Sequence, residues 1–354
     1  GCALNYLEVK EITATASKNI SILMENNITG EKFSIAAKSV INATGVWANQ
    51  ILECASTQDL FPLKMCSGIH LLFDKKRFPL ENTLAVEAVD DHRNLYFIPW
   101  KDLVLVGTTD NLTSDSPDQV SYQPADVSYL LNSINFYFPQ LQLTEKDVLE
   151  KTYGLRPIVD DVVGEKRASD LSRDYVFKID QRMPLLSVTG GKLTSFRSMG
   201  EKTINLLIKS FFSTESSTLL PCTTISPISG GRLAQTDLKI LTGDLGHELA
   251  ASLLDRYGSN AHVIAAIIRK NPSTKKIIHP QLHYTFAELE YFVAREFAET
   301  LTDIFFRRCQ LSLFKPEEAD LIEVVNFLDG LKLKPTQQFK NSMGDYLREK
   351  KIHH

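Results

Sequence analysis

One stretch of this 354-residue chain narrows the folds open to it more than any other. Residues 185 to 208 run from a short apolar segment, LLSVT, through two adjacent glycines and a lysine into a pattern with Met199, Ile204, Leu207 and Ile208 on one side. This reads as a buried strand, a tight turn and an amphipathic helix, the corner of an α/β layer. Gly190 and Gly191 carry no Cβ, so the backbone is expected to approach a ligand closely. The helix behind them would aim its unpaired N–H groups and positive dipole end over the turn, and Lys192 adds a full charge there. That chemistry suits an anion, or an atom that gains negative charge. A lone Gly-Gly-Lys is weak evidence, because a packing corner with Lys192 in water explains it as well.

The preceding segments read mostly as β structure. Residues 3–9, 20–25 (ISILME), 32–35 (KFSI) and the run VINATG have strand character, with Asn26, Asn27 and Gly30 supplying turn chemistry. VINATG ends in the small residues Ala43, Thr44 and Gly45, as at the ligand edge of an open sheet. A short helix is expected over 47–54. Strands at 69–73, 84–88, 94–99 and 103–107 leave no room for crossover helices, which predicts an antiparallel sheet. A helix is expected over 124–138 and a strand over 175–179.

Beyond Phe212 the composition changes. Residues 214–232 are rich in Ser, Thr, Pro and Gly and read as a linker, and 233–354 reads as helical throughout. Its clearest element is a helix over 286–309, begun by a Thr285/Glu288 capping box and carrying one apolar stripe.

Bulk properties exclude several classes. With 39 basic and 43 acidic residues, net charge −4, no global field favours nucleic acid. Cys2, Cys54, Cys66, Cys222 and Cys309 are scattered and odd in number, which predicts reduced thiols and no structural metal. No apolar run approaches the roughly 18 to 20 residues that span a bilayer. A cytoplasmic location is expected, or a peripheral one at the inner membrane.

A few polar residues stand among apolar ones. His70 lies in SGIHLLF, where a hydrogen-bonded core histidine is the plainer reading. Arg156 lies in YGLRPIV and is costly to bury without an anionic partner. Arg173, in LSRDY, is a second guanidinium, with a salt bridge to Asp170 or Asp174 as its simpler explanation. Guanidinium forks match phosphate or carboxylate oxygens.

The landmarks VINATGVW, CSGIH, LYFIPW, VLVGTTD, YGLRPIV, LSRDY, VTGGKLTSFRSMGEKTI, RYG and AELEYFVAREFAETLTDIFFRRC occur in one order over nearly the whole chain. In that order they resemble the flavin-dependent glycerol-3-phosphate dehydrogenases, within the glycine-oxidase-like flavoproteins. The resemblance implies an α/β plus all-α protein. A partial FAD-binding and substrate-binding domain would occupy 1–213, with an antiparallel substrate sheet mainly over 62–180, followed by the helical C-terminal domain. It also implies FAD as cofactor, glycerol 3-phosphate as substrate, quinone or oxygen as electron acceptor, peripheral membrane contact and self-association. Family members open with a G-x-G-x-x-G turn for the FAD pyrophosphate, and this chain contains none, so it is expected to be a C-terminal portion inactive by itself. Val46 and Cys66-Ser67 stand where the family usually has Pro and Ser-Lys.

On that reading Ala43, Thr44, Gly45, Gly190, Gly191, Lys192, Leu193 and Thr194 face the flavin, and Arg156 and Arg173 hold the substrate. The proton acceptor is His70, with Lys192 as electrostatic partner, or a desolvated Lys192 itself. Two rival readings remain. One is a flavin-dependent amine or amino-acid oxidase of the same fold, which needs a single Arg for a carboxylate. The other is a non-enzymatic fragment whose helical domain serves as an interaction module.

Overall fold

Turn chemistry and side-chain alternation build the first part of the chain. In the computed structural model, which describes residues 2–15, 19–114, 116–119, 122–159, 174–212, 224–279, 283–309, 318–335 and 338–353, β1 (Leu7–Ala14), β2 (Ile20–Asn26) and β3 (Lys32–Ala37) form an antiparallel meander. Asn26 Oδ1 accepts from the backbone N–H groups of Ile28 and Thr29 at 2.9 and 3.2 Å, and closes the β2–β3 turn. The first strand lies later than the sequence suggested, because its register sets buried Ile12 against Ile22.

The chain continues through β4 (Val40–Asn42), α1 (Ala48–Cys54), β5 (Leu63–Asp74), β6 (Leu84–Glu87), β7 (Asn94–Trp100), β8 (Leu103–Gly107) and β9 (Asn111–Thr113). Then come α2 (Pro124–Tyr137), β10 (Val148–Val159), β11 (Tyr175–Ile179), β12 (Leu185–Gly190) and α3 (Phe196–Phe211). Two further sheets result. In the smaller, the order is β11-β12-β4, and β4 runs parallel to β12. Buried Asn42 fixes that pairing, since its Nδ2 donates to Ala48 O at 2.9 Å and to Ser187 Oγ at 3.1 Å.

The larger sheet is antiparallel, ordered β10-β5-β8-β7-β6, with β9 also on β5. On one face Ile69, Leu71, Phe73, Phe97 and Val106 pack with Leu130 and Ile134 of α2. Alternation turns Cys66, Gly68 and His70 of β5, and Thr152, Gly154 and Arg156 of β10, to the other face. The sequence reading recognised only the apolar centre of β5 and did not assign β10 as a strand. Gly154 and Pro157 break the β10 pattern, and Pro157 is tolerated because β10 is an edge strand.

The chain divides into two compact units, residues 1–224 and 225–354. The second contains α4 (Asp237–Leu245), α5 (His247–Tyr257), α6 (Ala261–Lys270), α7 (Phe286–Arg295), a π-helical turn (Asp303–Arg308), α8 (Glu318–Gly330) and α9 (Gln338–His353). Its core joins Leu241, Leu253, Ile264, Phe292, Phe305 and Phe339. The Thr285/Glu288 capping box forms. A single helix over 286–309 does not: α7 ends at Arg295, Phe297 adopts φ 56°, and helical structure resumes two turns later. Asp303 explains the restart, because its carboxylate accepts the N–H groups of Glu299 and Thr300 at 2.9 and 3.0 Å and so caps a new segment. No helix among the described residues is long and apolar enough to cross a membrane.

Candidate functional site

The face of the large sheet opposite α2 carries the polar residues that the sequence singled out. Register sets His70 of β5 opposite Gly107 of β8 and Thr152 of β10. Gly107 leaves room for the imidazole: a Cβ there would lie 2.4 Å from His70 Cδ2. Burial, and next the nearby Arg156 charge, push the His70 pKa below its ordinary 6.5. The ring is therefore neutral at pH 7 and able to accept a proton.

Arg156 has the anionic partner that its setting demanded. Its Nη1 donates to Asp110 Oδ1 at 3.0 Å and its Nη2 to Thr108 Oγ1 at 3.0 Å. The Cys66 thiol donates to the same Asp110 oxygen at 2.5 Å. Burial, reinforced by Asp110, pushes that thiol up to about 12, so it stays protonated and serves as a donor. The 108–110 corner crosses directly over β5 at Gly68, where a Cβ would meet Thr109 O at 2.4 Å. Thr108 and Asp110 were not recognised from sequence as site residues. The signal available was the requirement of Arg156 for an acid, which the VGTTD segment supplies. Arg173 lies outside the described residues.

A second group surrounds the Gly-Gly turn. Ala43, Gly190, Gly191, Lys192 and Leu193 line an apolar cavity of about 470 Å³, closed on the helix side by Met199. Thr44, Gly45 and Thr194 are not part of its lining. Gly45 O accepts from Thr189 Oγ1 at 3.0 Å and holds the 43–45 corner against β12, while Thr44 Oγ1 donates to Asn42 Oδ1 at 2.7 Å.

The glycines also have a conformational role that the sequence did not show. Gly190 and Gly191 have φ of 79° and 78°, a region that side chains disfavour. The space their Cβ atoms would fill is taken by this chain: Asp174 O lies 2.7 Å from the first and Met199 Sδ 3.0 Å from the second. They are required for the turn and its packing, and both line the cavity.

The helix also starts later. A 3-10 turn, Leu193–Ser195, precedes α3, and neither has a side-chain cap. Lys192 is exposed at this turn. Leu193 is 89% exposed.

Strand β10 separates the two groups. Arg156 faces the His70 side, and the next residue, Pro157, lines the cavity. The cavity, the uncapped helix start and the exposed lysine suit the apolar body and anionic edge of a flavin ring. The sequence has no G-x-G-x-x-G to hold its pyrophosphate.

A sequence model of the family described as FAD dependent oxidoreductase matches residues 3–196. Another, described as the C-terminal domain of alpha-glycerophosphate oxidase, matches 221–327. The aerobic glycerol-3-phosphate dehydrogenase of Bacillus subtilis is 31% identical over 320 residues, 86% of this chain and 56% of that protein. The probable mitochondrial glycerol-3-phosphate dehydrogenase of Dictyostelium discoideum is 29% identical over 371 residues, 98% of this chain and 57% of that protein. The structure of glycerol-3-phosphate dehydrogenase from Bacillus halodurans complexed with FAD matches with a TM-score of 0.79 at 25% identity, covering 99% of this chain and 69% of that one. The chain thus spans little more than half the length of these curated relatives.

Proposed function

The chain belongs to the FAD dependent oxidoreductase family, and from that membership we propose that its residues serve the oxidation of sn-glycerol 3-phosphate to dihydroxyacetone phosphate, with electrons passing on to quinone or oxygen. The carrying observation is the cluster of His70, Arg156, Thr108 and Asp110 on the face of the large sheet opposite α2. FAD, when bound, supplies the hydride acceptor. Ala43, Gly190, Gly191, Lys192 and Leu193 would hold it, with Thr44, Gly45 and Thr194 beside them.

Neutral His70 takes the proton of the substrate hydroxyl. Among the described residues Arg156 donates to Asp110 and Thr108, and a guanidinium has further N–H donors with which to meet phosphate or alkoxide oxygens. Asp110 keeps that fork in one orientation and balances its charge while the site is empty of substrate. Lys192, at an uncapped helix start, provides positive charge where negative charge would develop on a reduced ring. Arg173 would add a second guanidinium for the phosphate.

The test is a titration of the purified chain with glycerol 3-phosphate, following the His70 imidazole by NMR, with glycerol and inorganic phosphate as controls. A saturable shift is expected that Arg156→Ala weakens at least tenfold, a loss of roughly 1.4 kcal/mol. No shift at millimolar glycerol 3-phosphate would remove the reading.

A further inference from the structure

The residues that orient Arg156 are themselves held by a side chain from a different strand connection. Asp110 is anchored through its backbone as well as its carboxylate: Arg93 Nη1 donates to Asp110 O at 2.9 Å. Arg93 lies in the connection from β6 to β7 and is fixed in turn. Its Nε donates to Asp91 Oδ2 at 2.5 Å, the second Asp91 oxygen accepts Tyr129 Oη at 2.8 Å, and the guanidinium carbon lies 5.6 Å from the Tyr129 ring centre. Tyr129 belongs to α2, whose Asp126 accepts from Asn111 Nδ2, next to Asp110, at 2.5 Å. The 108–110 corner is thus held on one flank by Arg93 and on the other by the first turn of α2.

We propose that Arg93 is a positioning residue for the His70 and Arg156 site, acting through the Asp110 carbonyl to set where the Asp110 carboxylate meets the Arg156 fork. The proposal rests on the substrate role given above to Arg156. Three features support it. Arg93 makes no hydrogen bond to His70 or Arg156, so its influence passes through Asp110. Asp110 is held through its backbone carbonyl as well as its carboxylate, so releasing the carbonyl loosens the peptide from which the carboxylate projects. The corner sits directly on Gly68, where a Cβ would meet Thr109 O at 2.4 Å, and β5 holds it through Gly107 and Asn111, so Arg93 adds an anchor at the one residue of the corner whose carboxylate meets Arg156.

The experiment uses Arg93→Gln, Arg93→Lys and Tyr129→Phe in the full chain, each checked for an intact amide NMR spectrum. Two quantities are read: the His70 titration midpoint without ligand, and the affinity for glycerol 3-phosphate. Arg93→Gln is expected to move the midpoint toward that of Arg156→Gln and to weaken binding about three- to tenfold. Arg93→Lys retains a donor and should lie nearer the parent protein, and Tyr129→Phe should shift both readings in the same direction by less. If Arg93→Gln does not fold, the two milder variants carry the test. Parental midpoint and affinity in every folded variant would overturn the proposal. If the parent protein binds no glycerol 3-phosphate, the substrate reading fails, while the His70 midpoints still judge the positioning role.

Discussion

His70 is a basic side chain that the fold keeps from being charged, and this has a thermodynamic sign. Its folded pKa lies below 6.5, so in the window beneath that value the unfolded chain binds the proton that the folded chain refuses. Stability should therefore fall as pH drops below about 6.5 and level off once the folded imidazole is also protonated. Denaturant unfolding at pH 7.5 and pH 5 should show a smaller loss in His70→Gln than in the parent; equal losses would mean that His70 titrates normally. Gly107 tests the geometry. Gly107→Ala must displace the ring and press on the Ile69 carbonyl, so His70 resonances and the neighbouring β5 amides should move and glycerol 3-phosphate binding drop at least tenfold. His70 and Arg156 were legible in the sequence because a polar group among apolar neighbours is conspicuous. Asp110 was not, since its importance comes from a corner folded over β5, and the exposure of Lys192 was not either, because a charge beside glycines says nothing about what covers it.

At the scale of elements, the Gly-Gly turn is held by backbone conformation. Replacing either glycine with Ala forces a Cβ into positive φ and, at Gly190, against the Asp174 carbonyl. Gly190→Ala should cost about 1–3 kcal/mol, and Gly191→Ala less, because the Met199 side chain it meets can move. Chemical denaturation curves would show the order, and a larger cost at Gly191 would contradict this packing account. The antiparallel sheet, the β12 turn and α2 were readable from alternation, turn residues and spacing. β10 was obscured by Gly154 and Pro157. The break after α7 was invisible because the apolar stripe continues across it and only the Asp303 cap reveals the restart.

For the molecule as a whole, the second unit is tied together at a buried charge, Glu288. Glu288 is 0% exposed, and its carboxylate closes the α7 capping box while accepting from Arg256 and Tyr257 at 2.7 and 2.9 Å. Glu288→Ala would strand a largely buried Arg256, at a cost of about 3–5 kcal/mol. Calorimetry should find the loss in the 225–354 unit, and a near-neutral effect would show that Arg256 reaches water on its own. In the first unit, β10 joins its two chemical compartments through a single peptide bond. Arg156 stands on one side and Pro157 on the other, and the proline ring fixes φ at the junction. Any factor by which an occupant of one compartment changes the affinity for an occupant of the other must be returned in equal measure.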